Sequence, residues 1–343
     1  MKILVAPLNW GLGHASRCVP LVRRLLDEGH EVILGGDGES LTLLRAHFPK
    51  LRYVYLAPLN LRYSKRRSQV GAMLRALPKL FWWSVKDYAI LKAILREEHI
   101  DQVISDNRFG LYINKHSAFS IQHSECVYIT HQLHILLPKG WRWLEPLAAR
   151  LHARIYTRFN KVWVPDYEDI HQSLAGELSH PKSKIKNLKS KIEYIGPLSR
   201  ISKEIPSNLN TLNTPKYDVV AVLSGLEPQR TLLEQEIIAR YTNPITNHQS
   251  PITNHPSVLI IQGLMHRPNT RITRGNITIV PRMDDAELAE VLRNAKHIIA
   301  RSGYSTIMDL AALGLLAKAE FIPTPGQPEQ EYLATWNAQK ALF

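Results

Sequence analysis

The chain has 343 residues, a formal net charge of +13 and two cysteines, which are too few for a disulfide framework. No apolar run approaches the roughly 20 residues that span a bilayer, and the N-terminal segment lacks the cleavage site of a signal peptide. These features argue against a secreted or membrane-spanning protein and favour a cytoplasmic protein of two domains, at about 100–200 residues each.

Short apolar runs alternate with apolar residues at helical spacing, which is typical of parallel sheets built from βαβ units. The predicted strands of the first half are Ile3–Pro7, Glu31–Leu34, Gln102–Ser105, Val127–Thr130, Lys161–Val164 and Glu193–Ile195. A helix is predicted after the Gly-rich turn at 11–13, and two more near Asp87–Glu98 and Trp143–Tyr156. We assign residues 1–200 to a first Rossmann-like domain.

A polar segment without periodicity, 201–216, predicts a linker to a second Rossmann-like domain at 217–343. Its predicted strands are Asp218–Leu223, Val258–Gln262, Ile277–Val280, His297–Ala300 and Glu320–Ile322, and its predicted helices lie near Glu227–Arg240, Asp285–Asn294, Ser305–Leu313 and Pro328–Leu342. A tandem Pro-Ile-Thr-Asn-His repeat within 244–257 predicts an exposed loop insertion rather than a metal site.

The basic residues are unevenly placed: from Ser40 to Lys86 the chain has ten Lys or Arg and no Asp or Glu. Aromatic and aliphatic residues share the second part of this stretch, so we interpret Arg62–Trp83 as a surface for an anionic membrane, which would place the protein on the inner face of the membrane. A nucleic-acid partner is the less favoured interpretation and is not expected. A solvated basic face remains the structural alternative.

The first βα turn, Asn9–Arg17, contains Gly11 and Gly13, which permit a tight turn at a helix N-terminus. The dinucleotide-binding pattern is incomplete, because the third glycine is missing and no acidic residue ends the strand at Leu34. A dehydrogenase is therefore disfavoured. His14, at the start of the helix, is either a general base or a hydrogen-bonding residue of the turn.

Asp106 follows a predicted strand at the carboxyl edge of the sheet, where open α/β sheets place their sites. There it could orient His14 and stabilise the imidazolium, or simply cap the next loop. His131 and Gln132 end the next strand on the same edge. We therefore predict an acceptor pocket that is lined by Gly11, Gly13, Arg17 and His131.

The second half contains two further strand–turn–helix junctions suited to a diphosphate. The candidate residues are Gly225, Glu227, Gln229 and Arg230 at the first junction, and Arg301, Ser302, Gly303, Ser305 and Thr306 at the second. Asp309 lies one helical turn further and is placed for ribose hydroxyls. The segment 323–331 offers amide and carboxylate groups for sugar hydroxyls.

These second-half residues resemble the C-terminal domain of family 28 glycosyltransferases, the MurG-like group. The resemblance is densest from Pro281 to Asn337, and Arg301-Ser-Gly with Asp309-Leu-Ala-Ala-Leu-Gly314 is its most specific part. The turn Gly11-Leu-Gly-His14 resembles the N-terminal motif of the family. The resemblance implies a GT-B fold, with two Rossmann-like domains facing a central cleft.

Carried over by position, Arg282 and Met283 would lie at the uracil base, and the turn at 301–303 would hold the diphosphate. Asp309 stands where the family usually has a ribose-binding Glu, and the sugar-contacting pair corresponds to Gln330 and Glu331, usually Gln-Gln. The family adds helices beyond the position of Phe343, so the resemblance implies an incomplete C-terminal domain.

The implied reaction is inverting transfer of a sugar from a nucleotide diphosphate, such as UDP-hexose or UDP-GlcNAc, to an acceptor hydroxyl. His14 would be the base and Asp106 its partner. No cofactor or metal is expected, because no D-x-D motif appears on the donor side. A nucleotide-sugar 2-epimerase of the same fold and a non-catalytic nucleotide-sugar-binding subunit are the alternatives, and a lipid-linked or polysaccharide acceptor remains open.

Overall fold

The computed structural model describes residues 1–59, 70–113, 124–180, 191–201, 217–225, 227–242 and 255–340. Its strands form two sheets, one of seven strands and one of six. The fold class is α/β, as the sequence predicts.

The first sheet has the strand order β3-β2-β1-β4-β5-β6-β7, and its paired strands are parallel. Its elements are β1 Lys2–Pro7, α1 Gly13–Asp27, β2 Glu31–Gly36, α2 Gly38–His47, β3 Tyr53–Tyr55, α3 Val70–Glu97, β4 Gln102–Asp106, β5 Glu125–Ile129, α4 Glu145–Tyr156, β6 Lys161–Val164 and β7 Ile192–Tyr194. Short 3₁₀ helices occupy Lys139–Leu144 and Gly176–Ser179.

Helices cover both faces of this sheet, which explains why its central strands are almost continuously apolar. One core contains Val19 of α1 and Leu44 of α2. The other contains Leu91 of α3 and Tyr156 of α4. Helices α3 and α4 therefore lie on the same face of the sheet, opposite α1 and α2.

The second sheet has the strand order β10-β11-β9-β8-β12-β13. Its elements are β8 Val219–Val222, α5 Gln229–Thr242, β9 Val258–Ile261, β10 Ile272–Arg274, β11 Ile277–Val280, α6 Asp285–Asn294, β12 His297–Ala300, α7 Tyr304–Leu313, β13 Ala319–Phe321 and α8 Pro328–Lys340. Its pairs are parallel except the edge pair β10–β11. Two cores again lie on the two faces of the sheet.

Every strand predicted from the sequence is present, within one or two residues at each end. Three elements, α2, β3 and β10, were not predicted, and β10 has no buried residue that would mark it in the sequence. Helix α3 begins at Val70 rather than near Asp87, so the predicted helix start was wrong. Phe81, Trp82 and Trp83 therefore belong to this helix, and its apolar residues lie on both faces, since Phe81 and Trp82 are exposed and Trp83 is buried.

Several predictions concern residues outside the described ranges. These are most of the linker at 201–216, residues 244–254 of the loop insertion, and the start of Arg62–Trp83. Among the helices that the structure describes, none is both long enough and apolar enough to cross a bilayer.

The two halves of the chain share one core. It combines Leu174 and Leu178, which follow β6, with Tyr304 and Ile307 of α7 and Leu333 of α8. Helix α8 also donates hydrogen bonds from Trp336 Nε1 to the carbonyl of Ser173 and from Asn337 Nδ2 to that of Leu174, at 2.9 and 3.0 Å. The last described helix thus packs against the first half of the chain.

Candidate active site between the two sheets

The site begins at the carboxyl edge of the first sheet, where β1 and β4 end side by side. Pro7 pairs with Asp106 in the parallel register, and the chain then turns through the glycines into α1. This places His14, in the first turn of α1, beside Asp106. The distance from His14 Nδ1 to Asp106 Oδ1 is 2.8 Å, and the imidazole is 16% exposed.

Arg17 lies one turn further along α1 and points inward, with a side chain only 1% exposed. Its Nε donates to Asp106 Oδ2 at 2.5 Å, and its Nη2 donates to Asp106 Oδ1. Burial alone would raise the pKa of Asp106, but the Arg17 charge and His14 outweigh it and hold that pKa well below its usual range. Asp106 is therefore a buried carboxylate, fixed by a bidentate cation.

Two groups compete for His14 Nδ1, which lies 2.8 Å from Asp106 Oδ1 and 2.9 Å from Arg17 Nη2. Because arginine can only donate, Nδ1 accepts from Arg17 when it is unprotonated and donates to Asp106 when it carries a proton. In the tautomer that donates to Asp106, the Nε2 of His14 carries the lone pair. This is the tautomer that can accept a proton from a substrate hydroxyl.

A second histidine joins the network from the next strand end. Arg17 Nη1 lies 3.1 Å from His131 Nδ1, which must therefore accept. His131 Nε2 then donates to Glu329 Oε1 at 2.7 Å. Burial lowers the pKa of His131, in keeping with a neutral imidazole. The ring stacks on Tyr304, with 4.2 Å between ring centroids.

The network connects the two halves of the chain, since Tyr304 and Glu329 belong to the second. Ser305 Oγ donates to the carbonyl of Gly13 at 2.7 Å, next to His14. A Cβ atom built on Gly11, whose φ is +79°, would lie 3.9 Å from the Cα of Gly225. The predicted acceptor turn therefore faces both predicted diphosphate turns.

Arg301 connects three loops of the second half. It donates to the carbonyls of Ile322 and Pro323 at 3.2 and 2.9 Å, and to that of Gln229 at 2.8 Å. Ser302, the next residue of the same turn, donates from its Oγ to the carbonyl of Gln330 at 2.7 Å. These bonds fix the carboxyl edge of the second sheet, where the predicted donor residues gather.

The other predicted donor residues take several positions. Arg230 binds Glu227, just before α5, and Glu234 on α5, at 2.6 and 2.8 Å. Arg282 donates to the carbonyls of Met265 and Arg267 at 2.6 and 2.8 Å. The remaining predicted donor residues differ in exposure: Met283, Gly303, Ser305 and Thr306 are half-buried, and Glu331 is exposed. Gly225 and Gly303 border open space, because a Cβ atom built on either glycine would have no neighbouring atom within 4 Å.

Asp309 is buried and bound to the segment that joins the halves. Its Oδ1 accepts from Ser199 Oγ at 2.7 Å, and Arg200 Nε lies 3.8 Å from its Oδ2. Burial raises the pKa of this carboxyl to about 6. In this structure the predicted ribose-binding carboxylate binds the two residues just before the predicted linker.

Sequence reasoning missed Glu329, Tyr304 and Ser199 as site residues. Glu329 and Tyr304 stand inside motifs that the sequence singles out, and Glu329 is the carboxylate next to the predicted Gln330 and Glu331. Ser199 carries no local signal. Within the described ranges, no cluster of three His, Cys, Asp or Glu side chains is arranged to hold a metal ion.

Comparison with known proteins points to one kind of fold. The spinosyn rhamnosyltransferase SpnG matches with a TM-score of 0.59 and 14% identity over 99% of this chain and 84% of its own. Its structure with thymidine diphosphate gives a TM-score of 0.55 and 14% identity, covering 100% and 92%. The chain has the GT-B fold.

Other GT-B proteins and relatives extend this comparison. A chain described as a UDP-N-acetylglucosamine 2-epimerase from Listeria monocytogenes matches with a TM-score of 0.50 and 12% identity, covering 100% of this chain and 88% of its own. An uncharacterized glycosyltransferase of Methanosarcina acetivorans is 25% identical over 344 residues, covering 96% of this chain and 82% of that protein. No protein-family model matches the sequence.

Proposed function

We propose that this chain is an inverting glycosyltransferase that moves a sugar from a nucleotide diphosphate to an acceptor hydroxyl. The observation that carries the proposal is the His14–Asp106–Arg17 arrangement, directly opposite the Ser305 turn of the other sheet. The GT-B fold and the similarity to a protein named as a glycosyltransferase support it. The thymidine diphosphate in the SpnG structure supports a nucleotide-bound donor.

In this proposal, His14 Nε2 accepts the proton of the acceptor hydroxyl. The oxygen attacks the anomeric carbon, a new C–O bond forms, and the bond from that carbon to the phosphate oxygen breaks on the opposite face. The electron pair leaves with the nucleotide diphosphate. Asp106 stabilises the imidazolium that forms, and Arg17 keeps Asp106 ionised throughout.

The leaving diphosphate would lie between the turns at Gly225 and Gly303, at the N-termini of α5 and α7. Backbone N–H groups and the positive ends of the helix dipoles favour a diphosphate there. Arg301 supports this role by holding the surrounding loops together. The proposed reaction uses no metal and no cofactor, with UDP-hexose or UDP-GlcNAc as the first donors to try.

For the acceptor we propose a lipid-linked molecule presented at an anionic membrane. The stretch Arg62–Trp83 is the sequence feature that suggested such a surface, and its described part exposes Phe81 and Trp82. In this arrangement the protein works at the inner face of the membrane without spanning it.

One experiment separates the candidate functions. The protein is incubated with a panel of labelled UDP- and dTDP-sugars, first alone and then with lipid extract, and the products are identified by mass spectrometry. A glycosyltransferase forms a glycosylated lipid only with extract present, and His14→Ala abolishes that product.

The alternatives give different products. A 2-epimerase, which the Listeria neighbour makes worth testing, converts UDP-GlcNAc to a second sugar nucleotide without any acceptor. A binding subunit retains the nucleotide sugar unchanged in both incubations. Either outcome would replace the transferase proposal.

A further inference from the structure

The N-terminal end of α4 presents an apolar stripe to solvent. Trp143, Leu147 and Leu151 are spaced four residues apart and are 73%, 50% and 51% exposed. Trp143 lies in the 3₁₀ helix that leads into α4, and Leu147 and Leu151 share one face of α4, opposite the buried Ala153 and Tyr156. The exposed face of α4 therefore combines leucines with arginines, whereas a solvated surface helix has a polar face.

The surroundings of this stripe are strongly basic. Its exposed charged neighbours are Lys139, Arg142, Arg150 and Arg154. Between Glu125 and Asp166 the only acidic residue is Glu145. Glu145 accepts from the backbone N–H of Leu137 at 3.1 Å and lies 3.8 Å from His134, so within the described residues it is not paired with these arginines.

The stripe lies at the same edge of the first sheet as His14. Helix α4 and the 3₁₀ turn before it follow the carboxyl end of β5, whereas α3 follows that of β3, and both helices pack on one face of the sheet. The middle of α3 exposes Phe81, Trp82 and Val85 on the same face of the sheet. The surface next to the carboxyl edge, on which the proposed acceptor site lies, is therefore the start of α4 with the 3₁₀ helix before it.

We propose that Lys139–Arg154, the α4 surface, docks into the interface of an anionic lipid bilayer. Exposed Trp and Leu among Lys and Arg are typical of helices that lie in the headgroup region. The charge favours anionic lipid over a second copy of this chain, because two copies of the same basic face would repel each other. The α4 surface was not part of the membrane surface predicted from the sequence.

The proposal deepens the proposed function, on which its link to a lipid-linked acceptor rests. Docking through α4 would set the carboxyl edge of the first sheet, with His14, next to the headgroups. Vesicle binding does not require catalysis, so it can be tested even if the enzyme activity differs from the proposal.

The test is co-sedimentation with phosphatidylcholine vesicles, with and without 30% phosphatidylserine, as about a third anionic lipid mimics an acidic leaflet. The parent should bind only the anionic vesicles, and less at high salt. Replacing Arg142, Arg150 and Arg154 with Gln should weaken binding roughly a hundredfold, at about fivefold for each cation near the surface. The triple variant of Trp143, Leu147 and Leu151 to Ser should weaken it at least ~10-fold.

Matched controls use the other half of the chain. The change of Arg267, Arg271 and Arg274 to Gln removes the same charge, and that of Leu232 and Ile272 to Ser removes exposed apolar residues. Both controls should bind vesicles like the parent. Lipids with brominated acyl chains should also quench tryptophan fluorescence in the parent, and less in Trp143→Phe, which keeps the exposed Trp82.

Two results would overturn the proposal. One is that both α4 variants bind anionic vesicles as tightly as the controls, which would leave α3 alone in contact with lipid. The other is that the parent does not bind vesicles and forms a dimer in solution, which Trp143→Ser converts to monomers. In that case the α4 surface would bind a second copy of this chain. Folding of each variant is checked by its circular dichroism.

Discussion

Arg17 is the residue whose position gives the candidate site its charge pattern. The sequence places it near the acceptor, and in the structure its guanidinium is enclosed by Asp106, His14 and His131. The inward direction of its side chain could not be derived from the sequence, because it depends on where Asp106 at the end of β4 lies relative to α1. The carboxyl-edge position of His14 and Asp106 could be derived, since parallel strands end at one edge.

We expect His14→Ala to lower turnover at least ~100-fold, since general base catalysis contributes about that much or more. Nucleotide affinity should change little, because in the proposed mechanism His14 acts on the acceptor. Steady-state kinetics and calorimetry with the nucleotide measure the two effects. His99→Ala, an exposed histidine on the same half, is the control. Near-parental turnover in His14→Ala would remove this residue from the mechanism.

We expect Arg17→Met to destabilise the protein by about 3–5 kcal/mol, because it leaves Asp106 buried without its cation. Adding Asp106→Leu should recover most of that stability, as measured by urea unfolding. The double variant should remain inactive, since His14 has lost its partner. If the single variant were as stable as the parent, Asp106 would have another source of compensation.

At the scale of elements, periodicity predicted the central strands well, because β1, β9 and β12 are buried apolar runs that a sequence displays directly. Of the four edge strands, which have three residues each, β7 and β13 were predicted and β3 and β10 were missed. All three residues of β10 are exposed, so no buried apolar residue marks this strand. The start of α3 was missed because an exposed apolar helix face departs from the usual amphipathic pattern.

Asp309 on α7 is a titratable carboxyl that contacts Ser199 and Arg200 of the first half. Its pKa of about 6 lies above the ordinary value of about 3.9, so the buried carboxyl stabilises the fold only while it is protonated. This contribution is complete below about pH 4 and is lost as the pH rises through 6. Asp309→Asn removes the titration.

We therefore expect the parent to lose up to about 3 kcal/mol relative to Asp309→Asn between pH 4 and pH 7. Urea unfolding of the ligand-free proteins across this range measures the difference. Asp27→Asn, which changes an exposed carboxylate of α1, controls for net charge. Parallel stability curves for parent and Asp309→Asn would show that Ser199 and Arg200 compensate the carboxylate fully.

For the whole molecule, the alternation of strands and helices predicts two α/β halves, but it does not predict the contacts between the two halves. The shared core around Leu333 joins side chains more than 150 residues apart in sequence, such as Leu174 and Leu333. Each half shows its own periodicity, and nothing local marks which surfaces meet. The two GT-B halves are therefore expected to unfold together.

Leu333→Ala tests this expectation, because Leu333 is fully buried in the shared core. We expect a loss of about 2–5 kcal/mol and one urea transition that moves as a whole. Circular dichroism and tryptophan fluorescence should report the same midpoint. Leu232→Ala, on an exposed site of α5, should change stability by less than about 0.5 kcal/mol. Separate midpoints would mean that the halves unfold independently.

The packing of α8 on the first half also has a consequence for synthesis on the ribosome. Trp336 and Ser173 are 163 positions apart, so at about 5–20 residues per second the loop after β6 emerges about 10–30 s before the helix that covers it. During that interval Leu174 and Leu178 have no α8 against which to pack. A nascent chain stalled before Pro328 should therefore be cleaved near these leucines by a protease that spares the finished protein.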